Sequence, residues 1–194
     1  PVLTFASGPT NSMRGAAFLA DAKDAMVVDI GGTTTDIGML INGFPRESAL
    51  AVDIGGVRTN FRMPDVLAIG LGGGSLVRDD GAVTVGPDSV GYELTTRGRV
   101  FGGADLTATD IAVAAGAADI GEPARVRDLD GSLVARALDA IQEMLEVGID
   151  RMKTAAGDLP VVLVGGGTIL VSRPIAGISD MIVPEHADVA NAIG

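Results

Sequence analysis

Short apolar runs along the chain are separated by stretches of helical period and by clusters of glycine. Residues 11–25 place Met13, Ala17, Phe18 and Leu19 on one face behind Asn11 and Ser12, either of which can cap an N-terminus, so a helix is predicted there. Met26–Ile30 reads as a short strand, a Gly-Thr turn occupies 31–35, and Asp36–Ile41 reads as a second strand. Asn42-Gly43 is a hairpin signal and Arg46–Ile54 resumes a strand pattern, so residues 26–54 are expected to form a three-stranded antiparallel meander. Val66–Ile69 is a further strand, and Ser75–Arg78 with Ala82–Val85 predicts a hairpin around Asp79-Asp80-Gly81. Thr107–Ala118 predicts a helix capped by Thr107. Residues 131–156 carry the longest amphipathic stripe, from Leu133 through Ala137, Ile141, Leu145 and Ile149 to Met152. Pro160–Val164 is a buried strand running into Gly165-Gly166-Gly167-Thr168, and a last helix is expected near Glu185. The alternation predicts an α/β domain with a mixed five-stranded sheet and helices on both faces.

Composition narrows the chemistry. With five Phe, one Tyr and no Trp, the core must be aliphatic, and the 28 Gly gather in clusters that suit tight backbone loops. A net charge of −11 argues against nucleic acid or an anionic membrane as partner. The absence of Cys removes disulfides and thiolate chemistry, and a lone His186 removes a His-rich metal site. No apolar run is long enough to span a bilayer and no signal peptide is visible, which makes the cytoplasm the default location. The chain opens on Pro1 and stops inside a helical pattern, so residues 1–194 are read as a single lobe cut from a longer protein.

The strongest chemical signal is Asp29-Ile30-Gly31-Gly32-Thr33-Thr34-Thr35-Asp36 between two strands. Gly31 and Gly32 let backbone approach an anion, successive N–H groups of such a turn can form an anion nest, and the three Thr add hydroxyl donors. Two carboxylates beside a phosphate loop make sense if Asp29, at the strand end, holds Mg²⁺ through water while Asp36 orients the turn or a metal water. The alternative is a Gly-Thr turn with a capping Asp. A buried strand entering Gly165, Gly166 and Gly167 offers a flat backbone surface for an adenosine. Gly72-Gly73-Gly74-Ser75 and Gly86–Gly91 could complete a wall of the site or could be crowded strand crossings, and Thr107–Asp110 fits a helix cap. Val28–Gly32 recurs as Val52–Gly56 without the hydroxyls or closing Asp, which reads as coincidence. There is no Gly-Lys-Ser/Thr loop and no Gly-x-Ser-x-Gly elbow.

Asp29–Asp36 resembles a phosphate loop of the actin/sugar-kinase/Hsp70 ATPase superfold, whose lobes are ribonuclease H-like. More narrowly, the ordered set of Ser7-Gly8-Pro9, Asp29–Asp36, Gly72–Ser75, Val85–Gly91, Leu106–Asp110 and Gly165–Thr168 resembles the hydantoinase/5-oxoprolinase family, A-subunit type. That resemblance implies ATP-dependent opening of a cyclic amide such as a hydantoin or 5-oxoproline, or a related ATP-driven carboxylation. It implies ATP and Mg²⁺ as cofactors, a second phosphate loop in an N-terminal lobe, a possible B-type partner subunit, and an isolated fragment that does not turn over. Where the family continues Val-Gly-Pro-x-Ser-Ala-Gly into a Pro-Gly-Pro-rich stretch, this chain has Tyr92-Glu93-Leu94-Thr95-Thr96. A non-catalytic nucleotide sensor of the same fold is the competing reading.

Overall fold

The computed structural model describes residues 7–48, 53–54, 57–58, 63–153 and 159–194. The first helix, α1, spans Ser7–Leu19 and so begins four residues before the expected start. Pro9 falls in its first turn, where a missing N–H costs nothing. The helix stops before the expected Ala25 because Asp21 takes a left-handed backbone (φ 48°) and the Ala22 N–H closes back onto the Ala17 carbonyl.

Strands β1 (Ala25–Ile30) and β2 (Thr35–Ile41) pair antiparallel over their whole length. The expected third strand of the meander is described only at 46–48 and 53–54. β3 is only Phe44–Pro45; the Arg46 N–H still bonds the Met39 carbonyl of β2 (2.7 Å), after which the chain turns to pair with residues 63–65. Asp53–Ile54 (β4) pairs instead with Val57–Arg58 (β5) in a separate ribbon, and the rest of 49–52 lies outside the described residues. The vacated edge of β2 is taken by β6 (Val66–Ile69), which sits end to end with β3. On the other side of β1, β9 (Val161–Val164) and β10 (Met181–Ile182) add parallel strands. The mixed sheet thus has six strands rather than five, in the order β10-β9-β1-β2, with β3 and β6 sharing the last edge. β7 (Ser75–Asp79) and β8 (Val83–Ser89) form the expected hairpin, longer on its second strand.

Period-two alternation along the strands sorts side chains to two faces. Met26, Val28 and Ile30 of β1 and Val161 and Leu163 of β9 pack against α3 (Ala108–Ala114) and α4 (Gly131–Met152). Ala25, Val27, Val162 and Val164 face α1 and α5 (Ala190–Ile193) on the other side. Helices therefore cover both faces. The α4 stripe is buried as its spacing predicts. Fully burying each of Ile141, Leu145 and Ile149 contributes about 2 kcal/mol. The expected helix at 107–118 is shorter, because the chain turns left-handed at Gly116 (φ 76°). The terminal helix starts later than Glu185, preceded by a short turn of tighter helix over Ala187–Val189. No helix among the described residues is long and apolar enough to cross a membrane.

Candidate nucleotide site

The turn between β1 and β2 is fixed from behind. Gly31 donates its N–H to the Thr34 carbonyl (2.9 Å), and the Gly31 and Gly32 carbonyls accept from the N–H groups of Gly73 (3.0 Å) and Gly74 (2.7 Å). Thr35 is buried, and its hydroxyl donates to the Leu71 carbonyl (2.8 Å), so it serves the turn's structure and is not a ligand donor. In front the turn is open. Gly32, Thr33 and Thr34 are exposed, and among the described residues no hydrogen bond uses their three N–H groups or the hydroxyls of Thr33 and Thr34. A run of unspent N–H groups with flanking hydroxyls suits an anion.

The second glycine cluster abuts the first. Gly165 has φ 89°, and a Cβ there would run into the Asp29 carboxylate and the Ile30 carbonyl. A Cβ on Gly167 would crowd Ile30 and the Gly31 carbonyl, whereas Gly166 faces open space. Gly31, Gly32, Gly166 and Gly167 line one cavity of about 230 Å³. Its remaining wall is Gly73, Thr109, Ile169, Leu94, Phe101 and Ile120. Leu94, Phe101 and Ile120 escape the sequence reading, which takes 86–103 as irregular. The available signal is Phe101, one of five Phe in the chain, set between Gly98 and Gly102-Gly103.

The third glycine cluster supports the turn. A Cβ on Gly72 would lie 2.5 Å from the Thr33 nitrogen, and only Gly73 reaches the cavity. Thr109 donates its N–H and its hydroxyl to the Gly73 carbonyl (2.9 Å each). Thr107 and Asp110 form a capping box, as their spacing suggests. The buried Asp110 carboxylate also accepts from the N–H groups of Arg99 and Val100, which ties the Phe101 wall to α3. His186 is on the surface, 3.8 Å from Glu185, and touches none of this.

Asp29 and Asp36 are directly opposed cross-strand partners, so both project from the α1 face of the sheet. Both are half-buried, and no ion pair or hydrogen bond among the described residues uses the Asp29 carboxylate. Among the described residues no three acidic or imidazole groups cluster as a self-sufficient metal cage. Two carboxylates do fit Mg²⁺, which keeps most of its waters and takes one or two protein oxygens beside phosphate.

Burial, and then the Asp29 carboxylate, raise the Asp36 pKa above the ordinary Asp range. A carboxyl raised in the folded state binds more protons there than in the unfolded chain, so stability falls as pH rises through that window. Without nucleotide, Asp36→Asn is therefore expected to be more stable than the parent at pH 7, with the gain shrinking as pH drops toward about 4. Urea unfolding at both pH values checks this, and no gain at pH 7 contradicts it.

The family model described as hydantoinase/oxoprolinase matches residues 1–163. The chain belongs to the hydantoinase/oxoprolinase family. This member is 30% identical over 119 residues to the acetophenone carboxylase gamma subunit of Aromatoleum aromaticum, a match covering 58% of this chain and 16% of that protein. Among solved structures it superposes on nucleotide-free acetone carboxylase with a TM-score of 0.76 at 22% identity, covering 95% of this chain and 31% of that one. It superposes on the ATP-dependent caprolactamase of Pseudomonas jessenii with a TM-score of 0.71 at 22% identity, covering 96% and 32%. The family member thus spans about a third of the length of these solved relatives, and it shares the α/β fold of that part of them.

Proposed function

We propose that residues 1–194 form one lobe of a longer ATP-dependent enzyme that opens a cyclic amide of hydantoin or 5-oxoproline type, or performs a related carboxylation. The observation that carries this reading is the row of unspent N–H groups at Gly32–Thr34, which starts at Gly32 in the wall of the cavity that Gly166 and Gly167 also line. In this reading Gly31, Gly32, Thr33 and Thr34 bind the phosphates. Gly165, Gly166 and Gly167 carry the adenosine against the apolar wall. The ATP dependence of the two solved relatives supports the cofactor, and the family supports the reaction class.

Asp29 would hold Mg²⁺ through water and Asp36 would orient the turn or a metal water; the ion supplies charge neutralisation for the phosphates. Phosphoryl transfer depends on positioning and charge stabilisation. An N-terminal lobe of the same protein supplies the remaining groups, so the isolated lobe does not turn over. The gamma-subunit relative is consistent with a B-type partner subunit, and a cytoplasmic setting suits an ATP-driven enzyme. The test is ADP release by the full-length protein with and without cyclic amides or, for carboxylation, ketone plus bicarbonate. Acceptor-stimulated release is expected; a full-length protein that binds no ATP contradicts the reading.

A further inference from the structure

A second cavity, of about 360 Å³, lies on the α1 face of the sheet and is lined by Pro9, Asp36, Ser48, Asp65, Val66 and Ala68 among others. We propose that it seats an uncharged cyclic amide whose ring N–H donates to the Asp36 carboxylate. This rests on the nucleotide reading above and adds to it the place and charge of the acceptor.

The first observation is position. Asp29, Asp36 and Ala68 are successive cross-strand partners on β1, β2 and β6, so their side chains form one row on one face. Neighbouring strands lie about 4.8 Å apart, which puts the far end of the row about 10 Å from Asp29. The cavity of about 230 Å³ opens instead among Thr109, Phe101 and Ile169. The Gly31–Thr34 turn therefore lies between two cavities, and an acceptor in the second sits on the carboxylate side of the phosphates. The volume is within the usual range of roughly 300–1,000 Å³ for small-molecule sites.

The second observation is charge. Among the described residues the cation beside this cavity is Arg46, which donates Nε (3.1 Å) and Nη2 (2.7 Å) to Asp65 Oδ2, so that pair is neutralised internally. Asp36 has no ion-pair partner among the described residues. The described wall thus carries net negative charge and an acceptor carboxylate. It favours a neutral ring that donates an N–H and disfavours a ring bearing its own carboxylate.

The test uses the full-length protein and two rings that differ only by a carboxylate, 2-pyrrolidinone and 5-oxoproline. Ala68 is exposed on β6 opposite Asp36, so a larger side chain there fills the cavity with little cost to the core. Ala68→Phe is expected to raise KM for 2-pyrrolidinone in stimulated ATP hydrolysis by about tenfold or more, with the ATP Kd unchanged. Ala68→Thr should give an intermediate rise, which a folding defect would not. 5-Oxoproline should be at least about tenfold poorer in kcat/KM than 2-pyrrolidinone. Three results overturn the proposal while ATP still binds: 5-oxoproline used as well or better, an unchanged KM in Ala68→Phe, or no stimulation by 2-pyrrolidinone. Failure of the full-length protein to bind ATP instead fells the nucleotide reading itself.

Discussion

Asp29→Asn in the full-length protein is expected to cut turnover by roughly 10²-fold or more while leaving the fold and most nucleotide affinity intact. The size corresponds to about 2.7 kcal/mol of transition-state stabilisation, the scale of one lost electrostatic contact. Asp29 sits where β1 meets the Gly31-Gly32 turn, half-buried and beside Gly165. A carboxylate so placed is costly unless something compensates it. No hydrogen bond or ion pair among the described residues does so, and no backbone N–H caps onto it. An Asn of the same shape therefore loses no internal contact, and its effect isolates the charge. The measurement is kcat against Mg²⁺ concentration, with ATP affinity measured separately. Near-normal turnover with an unchanged magnesium dependence rules out the metal role.

Gly72→Ala is expected to weaken ATP binding by about tenfold or more and to destabilise the fold by about 1–3 kcal/mol, the usual range for overpacking. Gly72 contacts no ligand in this account. Its added methyl would lie 2.5 Å from the Thr33 nitrogen, 2.6 Å from the Gly32 carbonyl carbon and 2.7 Å from the Gly31 carbonyl oxygen. These are backbone atoms of the phosphate turn, which cannot rotate aside as a flexible side chain can. The turn must shift, and with it the N–H groups of Gly32–Thr34. Gly131→Ala is the control, since a Cβ at the start of α4 meets open space. Equilibrium ATP titration of both variants decides the matter. Parent-like affinity in Gly72→Ala contradicts the claim that the third glycine cluster holds the phosphate turn in place.

The readable parts of the fold are those where one local pattern decides the outcome. β9 is an uninterrupted apolar run, β1 and β2 are apolar except near the turn that joins them, and α4 repeats its apolar stripe over 22 residues. The errors fall where tertiary competition decides. Arg46–Ile54 has a strand-like pattern, but after the Arg46 bond to Met39 its described start pairs with residues 63–65 and Val66–Ile69 claims the edge of β2, a contest no local window contains. The helix start is expected at Asn11 or Ser12, yet α1 begins at Ser7 with Pro9 inside its first turn. For the candidate site, the turn between β1 and β2 was legible because its glycines, threonines and carboxylates are contiguous. Thr35 was grouped with its neighbours, but strand alternation turns it inward to Leu71. The wall of Leu94, Phe101 and Ile120 is scattered over 27 residues; Asp110 ties down the Phe101 segment and Ile120 packs on the same Val100 cluster, so its assembly depends on tertiary contacts rather than on spacing.

The central claim is that Gly32–Thr34 and Gly165–Gly167 grip one nucleotide. A crystal structure of the full-length protein with a non-hydrolysable ATP analogue and Mg²⁺ tests it most directly. The account predicts phosphate oxygens within hydrogen-bond distance of the Gly32, Thr33 and Thr34 N–H groups, the adenosine against Gly166 and Phe101, and a hydrated metal at Asp29. A nucleotide bound elsewhere, or phosphates that bypass the Gly32–Thr34 turn, contradicts it.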